Sequence, residues 1–224
     1  MEAPPHHSGE LERIYSLRFN AHLAYRKRVW EILTTKYFSR YVDADAAVLD
    51  LGCGYGEFIS NISCGRKLGM DMNPAAAHYL PDDVQLLQQD CSMTWNLPAE
   101  SLDVVFTSNF FEHLPSKRAL VDTLSEACRC LRPGGRIIAM GPNIRYVGGA
   151  YWDFWDHHLA LSDTSLSEAL ELLGFGIERK VPRFLPYTMV NRRRAPALFV
   201  ALYLKCRPAW HLFGKQFLII ARKP

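Results

Sequence analysis

Apolar runs of strand length alternate along the middle of this chain with segments that repeat at helical period. Residues 46–51 are apolar except for Asp50, and near-continuous apolarity, unlike strict alternation, suits a strand buried on both faces of a parallel sheet. Further short strands are expected to end at Asp71 and at Asp90, to span 103–108, and to follow the turn that starts at Leu131. Helices are expected between them near 57–62, 74–80 and 117–131. That alternation is the signature of βαβ units, with right-handed crossovers expected. Ahead of the sheet, 10–41 reads as one or two amphipathic helices, because Trp30, Leu33 and Tyr37 fall at helical spacing just after Arg26, Lys27 and Arg28. Past strand five, Ser165 and Glu168 are spaced as a capping box, Leu166, Leu170 and Leu173 share a face, and Gly174 follows, so a helix with both ends signalled is expected. A sixth strand at 177–184 and a last one at 216–221 complete the pattern. One domain is expected from 224 residues of 49% hydrophobic composition.

The turn after the first strand adds candidate chemistry. Gly52, Gly54 and Gly56 let the backbone turn tightly and let a ligand approach with no Cβ in the way. Their spacing is G-x-G-x-G, with the acid Asp50 two positions ahead of the first glycine. A dinucleotide site has the spacing G-x-G-x-x-G and turns helix-end amides toward a pyrophosphate, which a neighbouring carboxylate repels. A carboxylate at this turn suits a cationic ligand instead.

Further motifs follow in order. Asp71, in Leu-Gly-Met-Asp-Met-Asn-Pro, lies within the roughly 20-residue interval at which an acid meets a ribose in such folds. Asp90 stands in Leu-Leu-Gln-Gln-Asp-Cys, Asn109 opens Asn-Phe-Phe-Glu-His-Leu after strand four, and Leu131 opens Leu-Arg-Pro-Gly-Gly-Arg-Ile-Ile-Ala before strand five. Together with the glycine turn these five segments resemble the motifs of the class I S-adenosylmethionine-dependent methyltransferases, in particular the small-molecule, type 11-like members. The resemblance implies a Rossmann-like three-layer α/β sandwich whose mostly parallel seven-stranded sheet has an antiparallel last strand. It implies S-adenosyl-L-methionine as cofactor, with Asp50 suited to the sulfonium and α-ammonium groups, Asp71 to both ribose hydroxyls and Asp90 to the adenine amino group. Gly52, Cys53, Gly54, Met72, Cys91 and Asn109 complete the expected cofactor set. The chain then divides into leading helices at 1–44, a cofactor-binding core at 45–142 and a substrate side at 143–224.

In a direct methyl displacement the protein aligns the nucleophile and, for a hydroxyl acceptor, takes up a proton. Histidine is the default base near neutral pH. His113 after strand four, and His157 and His158 after strand five, qualify by position; for each, a packing or hydrogen-bonding role is the competing reading. The loop at 143–161 carries Tyr151, Trp152 and Trp155 and follows the carboxyl end of a strand, where open α/β sheets bind ligands. These residues and Phe111 are candidate acceptor contacts. Tyr15, Arg18 and Phe19 of the leading helices join them if those helices cover the cleft rather than merely cap the sheet. No metal is expected: Asp153, Asp156, His157 and His158 cluster on one loop without a ligand spacing.

Exclusion narrows the acceptor. The Asn/Asp-Pro-Pro-aromatic clamp used on exocyclic amines of DNA is absent, since Ser108, Asn109, Phe110 and Phe111 stand there, and no cysteine nucleophile of the pyrimidine carbon-5 type is present. The favoured acceptor is a small-molecule or lipid-linked hydroxyl. The alternatives are a protein or RNA methyltransferase, and a non-catalytic protein that binds a nucleotide-like ligand; no recognised RNA module is present, which argues against nucleic acid.

Net charge is only +3 but unevenly spread. Residues 1–178 hold 15 basic and 23 acidic side chains, and past Glu178 eleven Lys or Arg occur with no acid at all. Such asymmetry fits either an anionic partner or a solvated basic face. Within that tail, a helical insertion near 185–215 holds Arg192, Arg193 and Arg194, the apolar run 197–204 and Trp210. The run is far below the roughly 18 residues of a membrane span. With Pro196 at its first turn it reads as a short helix, apolar on nearly every side, that either packs on its own domain or makes peripheral contact with an anionic membrane. Six scattered cysteines without a C-x-x-C pair favour free thiols and a reducing, cytoplasmic setting and disfavour zinc. The first ten residues contain neither a secretory signal nor an anchor.

Overall fold

The computed structural model describes residues 23–187 and 196–224. Its seven strands are β1 (Ala47–Leu51), β2 (Arg66–Met70), β3 (Val84–Leu87), β4 (Leu102–Ser108), β5 (Leu131–Pro142), β6 (Gly176–Val181) and β7 (Gln216–Arg222). They form one sheet in the order β3-β2-β1-β4-β5-β7-β6. Strands β1 to β5 pair in parallel, and β7 runs antiparallel to both β5 and β6. The principal helices are α1 (Leu23–Lys36), α2 (Lys117–Cys130), α3 (Asp163–Leu172), α4 (Ala197–Lys205) and α5 (Arg207–Phe213). This is the Rossmann-like sandwich expected from the sequence.

A hydrophobic core lies on each face of the sheet. Leu49 and Leu51 of β1 belong to the core shared with Leu120 and Leu124 of α2 and Leu166 and Leu170 of α3. Val48 faces the other core, with Ile32 and Leu33 of α1, Phe58, Phe106, Phe184 and Trp210. Phe58 stacks on Phe106 with ring centroids 3.6 Å apart, which fixes the segment after the glycine turn against the middle of the sheet. Each large apolar side chain fully buried in this way contributes about 1.5–3 kcal/mol.

The chain leaves β1 toward β2 on one side and returns as β4 on the other, so the strand order reverses between β1 and β4. A crevice at the carboxyl ends of strands flanking such a switch point is where open α/β sheets take ligands. The glycine turn after Leu51 and the segment after Ser108 both end there.

Several expected elements take other forms. Residues 57–61 form turns, with separate bonds from Ser60 N to Gly56 O (2.9 Å) and from Ile62 N to Phe58 O (3.1 Å). A longer helix has no room, because β2 begins at Arg66 and the chain folds back sharply at Gly65, where a Cβ would meet the Asp45 carbonyl at 2.5 Å. The next expected helix is a 3-10 turn, Pro74–His78, capped by the Asn73 side chain, which accepts from Ala75 N. Helix α3 starts a turn earlier than expected, with Ser162 as N-cap and Ser165 completing the reciprocal capping box. Strand β6 stops at Val181, ahead of Pro182, yet Phe184 N still donates to Gln216 O at 2.6 Å. Proline cannot donate to a ladder, so the pairing breaks and resumes.

Among the described residues, the insertion between β6 and β7 contains two helices, α4 and α5. Tyr15, Arg18 and Phe19, and the Arg192–Arg194 triplet, lie outside the described residues. All six cysteines are free thiols. Among the described residues no helix is long and apolar enough to cross a membrane.

Candidate active site

The glycine turn is built by its backbone. Gly52 N and Cys53 N both donate to the Met70 carbonyl at the end of β2, at 2.8 and 3.1 Å. Gly52, Gly54 and Gly56 have φ of +70°, +51° and +70°, a left-handed conformation that residues with a Cβ rarely adopt. Gly52 is required on a second count: a Cβ there would lie 2.3 Å from the Phe110 ring, which reaches across from the segment after β4.

Three carboxylates converge on this turn. Asp50 is buried, and its Oδ2 accepts a hydrogen bond from Ile59 N at 3.3 Å. Burial pushes its carboxyl well above the ordinary carboxylate range, the Ile59 amide opposes this, and the charges of Glu57 and Asp71 add to it. No basic side chain among the described residues pairs with Asp50. Asp71 accepts from Gly54 N through Oδ2 (2.8 Å) and from Asn73 N through Oδ1 (2.9 Å). Burial raises its pKa, while those amides and His113 lower it. Each Asp71 oxygen keeps a lone pair for a ligand hydroxyl. Glu57 is held by Arg26 of α1 at 2.6 Å, so α1 is pinned to the glycine turn.

The remaining expected cofactor residues spread around this centre. Asp90 is exposed, its Oδ1 accepting from Ser92 N and Ser92 Oγ, both at 2.8 Å. Met72 is exposed and Cys91 buried, its sulfur accepting from Thr123 Oγ1 at 3.4 Å. Cys53 is a buried packing group whose sulfur comes within 2.9 Å of where a Cβ on Gly69 would stand. Asn109 has φ of +50° and donates its amide N–H to Met140 O at 2.8 Å.

On the other side of the crevice the segment after β4 is tied to the loop after β5. The Glu112 carbonyl accepts from His158 N (2.8 Å) and Leu159 N (3.1 Å). His113 Nδ1 lies 3.0 Å from the Asp156 carbonyl oxygen and 3.2 Å from Asp156 Oδ2. Both are acceptors, so Nδ1 carries the proton and Nε2 is left as the basic atom. Burial lowers the pKa of His113, but hydrogen bonding to Asp156 and the charges of Glu112 and Asp156 outweigh it, and the net shift is upward. The wholly buried Glu112 carboxyl is pushed up to about 7 by burial, partly offset by His113.

The three candidate histidines therefore separate. His113 and His157 meet edge to face with ring centroids 5.0 Å apart, and His157 is buried between Phe154 and Tyr151. The His158 side chain is exposed. Of the candidate acceptor contacts, Phe111 is buried in the core, and Tyr151 is fully buried with its hydroxyl donating to the Leu159 carbonyl. Trp152 and Trp155 are exposed, Trp155 to 85%. One potential ligand atom each from Glu112, His113 and His157 lies within 4.8 Å of the others; Asp153, Asp156 and His158 do not join that group. Sequence reasoning did not single out Phe110, Glu112 or the Arg26–Glu57 pair. For Glu112, adjacency to His113 was the available signal, and for Phe110 its place in the segment after strand four; nothing in the sequence linked Arg26 to Glu57.

Comparison with known proteins agrees with this geometry. Residues 49–139 match the family described as a methyltransferase domain. No curated protein matches the chain in sequence. Among solved structures, a SAM-dependent methyltransferase from Archaeoglobus fulgidus is 24% identical, with 88% of this chain and 94% of that one covered and a TM-score of 0.66. A methyltransferase from Haloferax volcanii, in complex with the Trm112 methyltransferase activator, is 20% identical, with 94% and 96% covered and a TM-score of 0.67. The cyclase SpnF is 19% identical, with 87% and 80% covered and a TM-score of 0.59. The fold is thus shared with these proteins over most of the chain, while the family match spans the strands that carry the glycine turn, Asp71, Asp90 and the His113 segment. On that match, residues 49–139 are a methyltransferase domain, carried on a fold that the chain shares with these proteins.

Proposed function

We propose that the protein transfers a methyl group from S-adenosyl-L-methionine to a hydroxyl of a small-molecule or lipid-linked acceptor, with His113 as general base and Asp156 as the group that positions it. The observation that carries the cofactor reading is Asp50, a buried carboxylate with no basic partner among the described residues and with Glu57 and Asp71 close by. Burial and mutual repulsion disfavour the charged forms of Asp50 and Asp71, a cost that a cationic ligand would relieve and a pyrophosphate would increase. Asp71 and the left-handed glycine turn complete a cradle for a ribose and for close backbone approach. When bound, the cofactor supplies an electrophilic methyl on a positively charged sulfur.

The chain's own part is alignment and proton uptake. Asp156 holds the Nδ1–H of His113, which fixes the ring and leaves Nε2 to accept the acceptor's hydroxyl proton. The imidazolium that forms is stabilised by the Asp156 carboxylate. Phe110 over Gly52 and Phe111 in the core hold this segment against the cofactor turn. Trp152 and Trp155 offer exposed aromatic surface on the loop that carries Asp156.

A second reading, methyl transfer to protein or RNA, is favoured by one observation, the likeness to the Haloferax volcanii protein that binds an activator protein. Incubation with methyl-labelled cofactor, followed by fractionation and mass spectrometry, decides between them. Label in the small-molecule or lipid extract supports the first reading; label confined to protein or RNA replaces it with the second.

A further inference from the structure

Helices α4 and α5 are fixed firmly to the domain yet present large apolar side chains to solvent. Leu204 and Trp210 are buried, and α4 packs against α1. Tyr203 donates its hydroxyl to the Phe184 carbonyl, and Trp210 Nε1 donates to the Tyr203 carbonyl, each at 2.8 Å. Arg183 closes the far end, its Nε donating to Gly214 O (2.8 Å) and its second guanidinium nitrogen to Leu212 O (3.0 Å). Gly214 sits at a backbone crossing so tight that a Cβ would lie 2.5 Å from Trp210 O and from the Arg183 carbonyl carbon. The unit is therefore packed on one side and clamped at its end.

Its other side is exposed among the described residues. Leu198, Phe199 and Leu202, at i, i+1 and i+4 on α4, and Leu212 and Phe213 at the end of α5 are each 53–72% exposed. Five large apolar side chains held outward within sixteen residues differ from the scattered exposed hydrophobics of an ordinary surface. The charge of this segment itself has one sign. Lys205, Arg207 and Lys215 flank or join these helices, and no acidic residue occurs anywhere after Glu178.

Exposed apolar side chains on a segment whose charges are all basic match the boundary of an anionic bilayer, where acyl chains take the first and headgroups the second. A soluble protein partner would equally cover the apolar groups, but the absence of any acid across the whole tail favours a uniformly anionic surface. We infer that the exposed side of α4 and α5 is a docking face for an anionic membrane surface, peripheral in depth. Helix α4 rests on α1, the helix whose Arg26 holds Glu57 beside the glycine turn. Such docking deepens the proposed function by naming the source of a lipid-linked acceptor, and it rests on that reading only for its purpose; the docking itself is measured without any acceptor.

The test is cosedimentation of the full chain with phosphatidylglycerol vesicles and with phosphatidylcholine vesicles, at low and moderate salt. Binding is expected to phosphatidylglycerol only and to weaken with salt. Replacing Leu198, Phe199 and Leu202 together by Ser is expected to lower the partition coefficient roughly 30-fold or more. Replacing Lys205 and Arg207 by Gln is expected to lower it roughly 10-fold and to flatten the salt dependence. Calorimetric cofactor binding, unchanged in both variants, shows that they are folded and keeps a failed cofactor reading distinct from a failed docking face. Recovery of the full chain in the supernatant with both lipids overturns the inference, as does equal binding to both. Two other results also overturn it: binding that appears only after removal of residues 1–22, which assigns the face to the chain's own leading segment, and a dimer in sedimentation velocity that the Ser variant abolishes, which assigns it to a second copy.

Discussion

The glycine-turn side and the histidine side of the crevice are built on opposite principles. Around Gly52 to Asp71 nearly every interaction is backbone to backbone or carboxylate to amide, as in the bonds from Gly52 N and Cys53 N to Met70 O and from Gly54 N to Asp71. Around His113 two backbone bonds to the Glu112 carbonyl dock the later loop, but the imidazole itself is set by its own side chain reaching segments far apart in sequence, 43 residues in the case of Asp156. A site set by backbone conformation tolerates little variation and suits a ligand that never changes. A site set by side chains on a long loop can be re-specified, which suits the acceptor.

The comparison is broken most severely at His113. His113→Ala is expected to lower turnover by roughly 10²- to 10⁴-fold with cofactor affinity unchanged, measured by steady-state kinetics beside calorimetry. An equal loss of both would show that the two sides are not separable. Because the pKa of His113 is raised, the rate should climb with pH through a value above its ordinary 6.5. By the same shift, its contribution to stability is full below about 6.5 and is lost as pH rises through the folded-state value.

Asp156→Asn should act through His113. Loss of a charged hydrogen bond costs about 1.5–3 kcal/mol, so turnover should fall roughly 10- to 150-fold. The rising limb of the pH profile should move to lower pH, a change that a purely structural role would not produce.

On the other side, Gly52→Ala should cost about 2–3 kcal/mol of stability, from left-handed strain of ~1–2 kcal/mol and displacement of Phe110. Thermal unfolding measures it.

The smallest effect is expected at Glu112. A buried carboxyl raised to about 7 binds its proton more tightly folded than unfolded, so its destabilising effect is absent below about pH 4.5, grows as pH rises and is full above about 7. Glu112→Gln should therefore be about 1–2 kcal/mol more stable than the parent at pH 8 and nearly equal at pH 5, the Gln amide still bearing its own burial cost.

These two principles also explain what could be read from the sequence. The central strands, such as β1 and β4, and the glycine turn were legible because burial on both faces forces continuous apolarity and a left-handed turn demands glycine at fixed positions. The segment 57–62 was misread as a helix because local pattern does not report how soon Gly65 must return the chain to β2. The start of α3 was displaced by one turn because Ser162 and Ser165 make a capping box as well as Ser165 and Glu168 would. The partnership of His113 with Asp156, and the choice of which side of α4 is covered, had no local signature, since each depends on where a distant segment packs.

Asp71 stands at the centre of the cofactor side, its two oxygens joining the glycine turn to the loop after β2. Isothermal titration of the parent and Asp71→Ala with S-adenosyl-L-methionine tests it directly, with circular dichroism to confirm that the variant is folded. Saturable binding by the parent and a loss of roughly 10- to 150-fold in the folded variant are expected. No binding by the parent, or unchanged affinity in the variant, would contradict the assignment of this turn as the cofactor site.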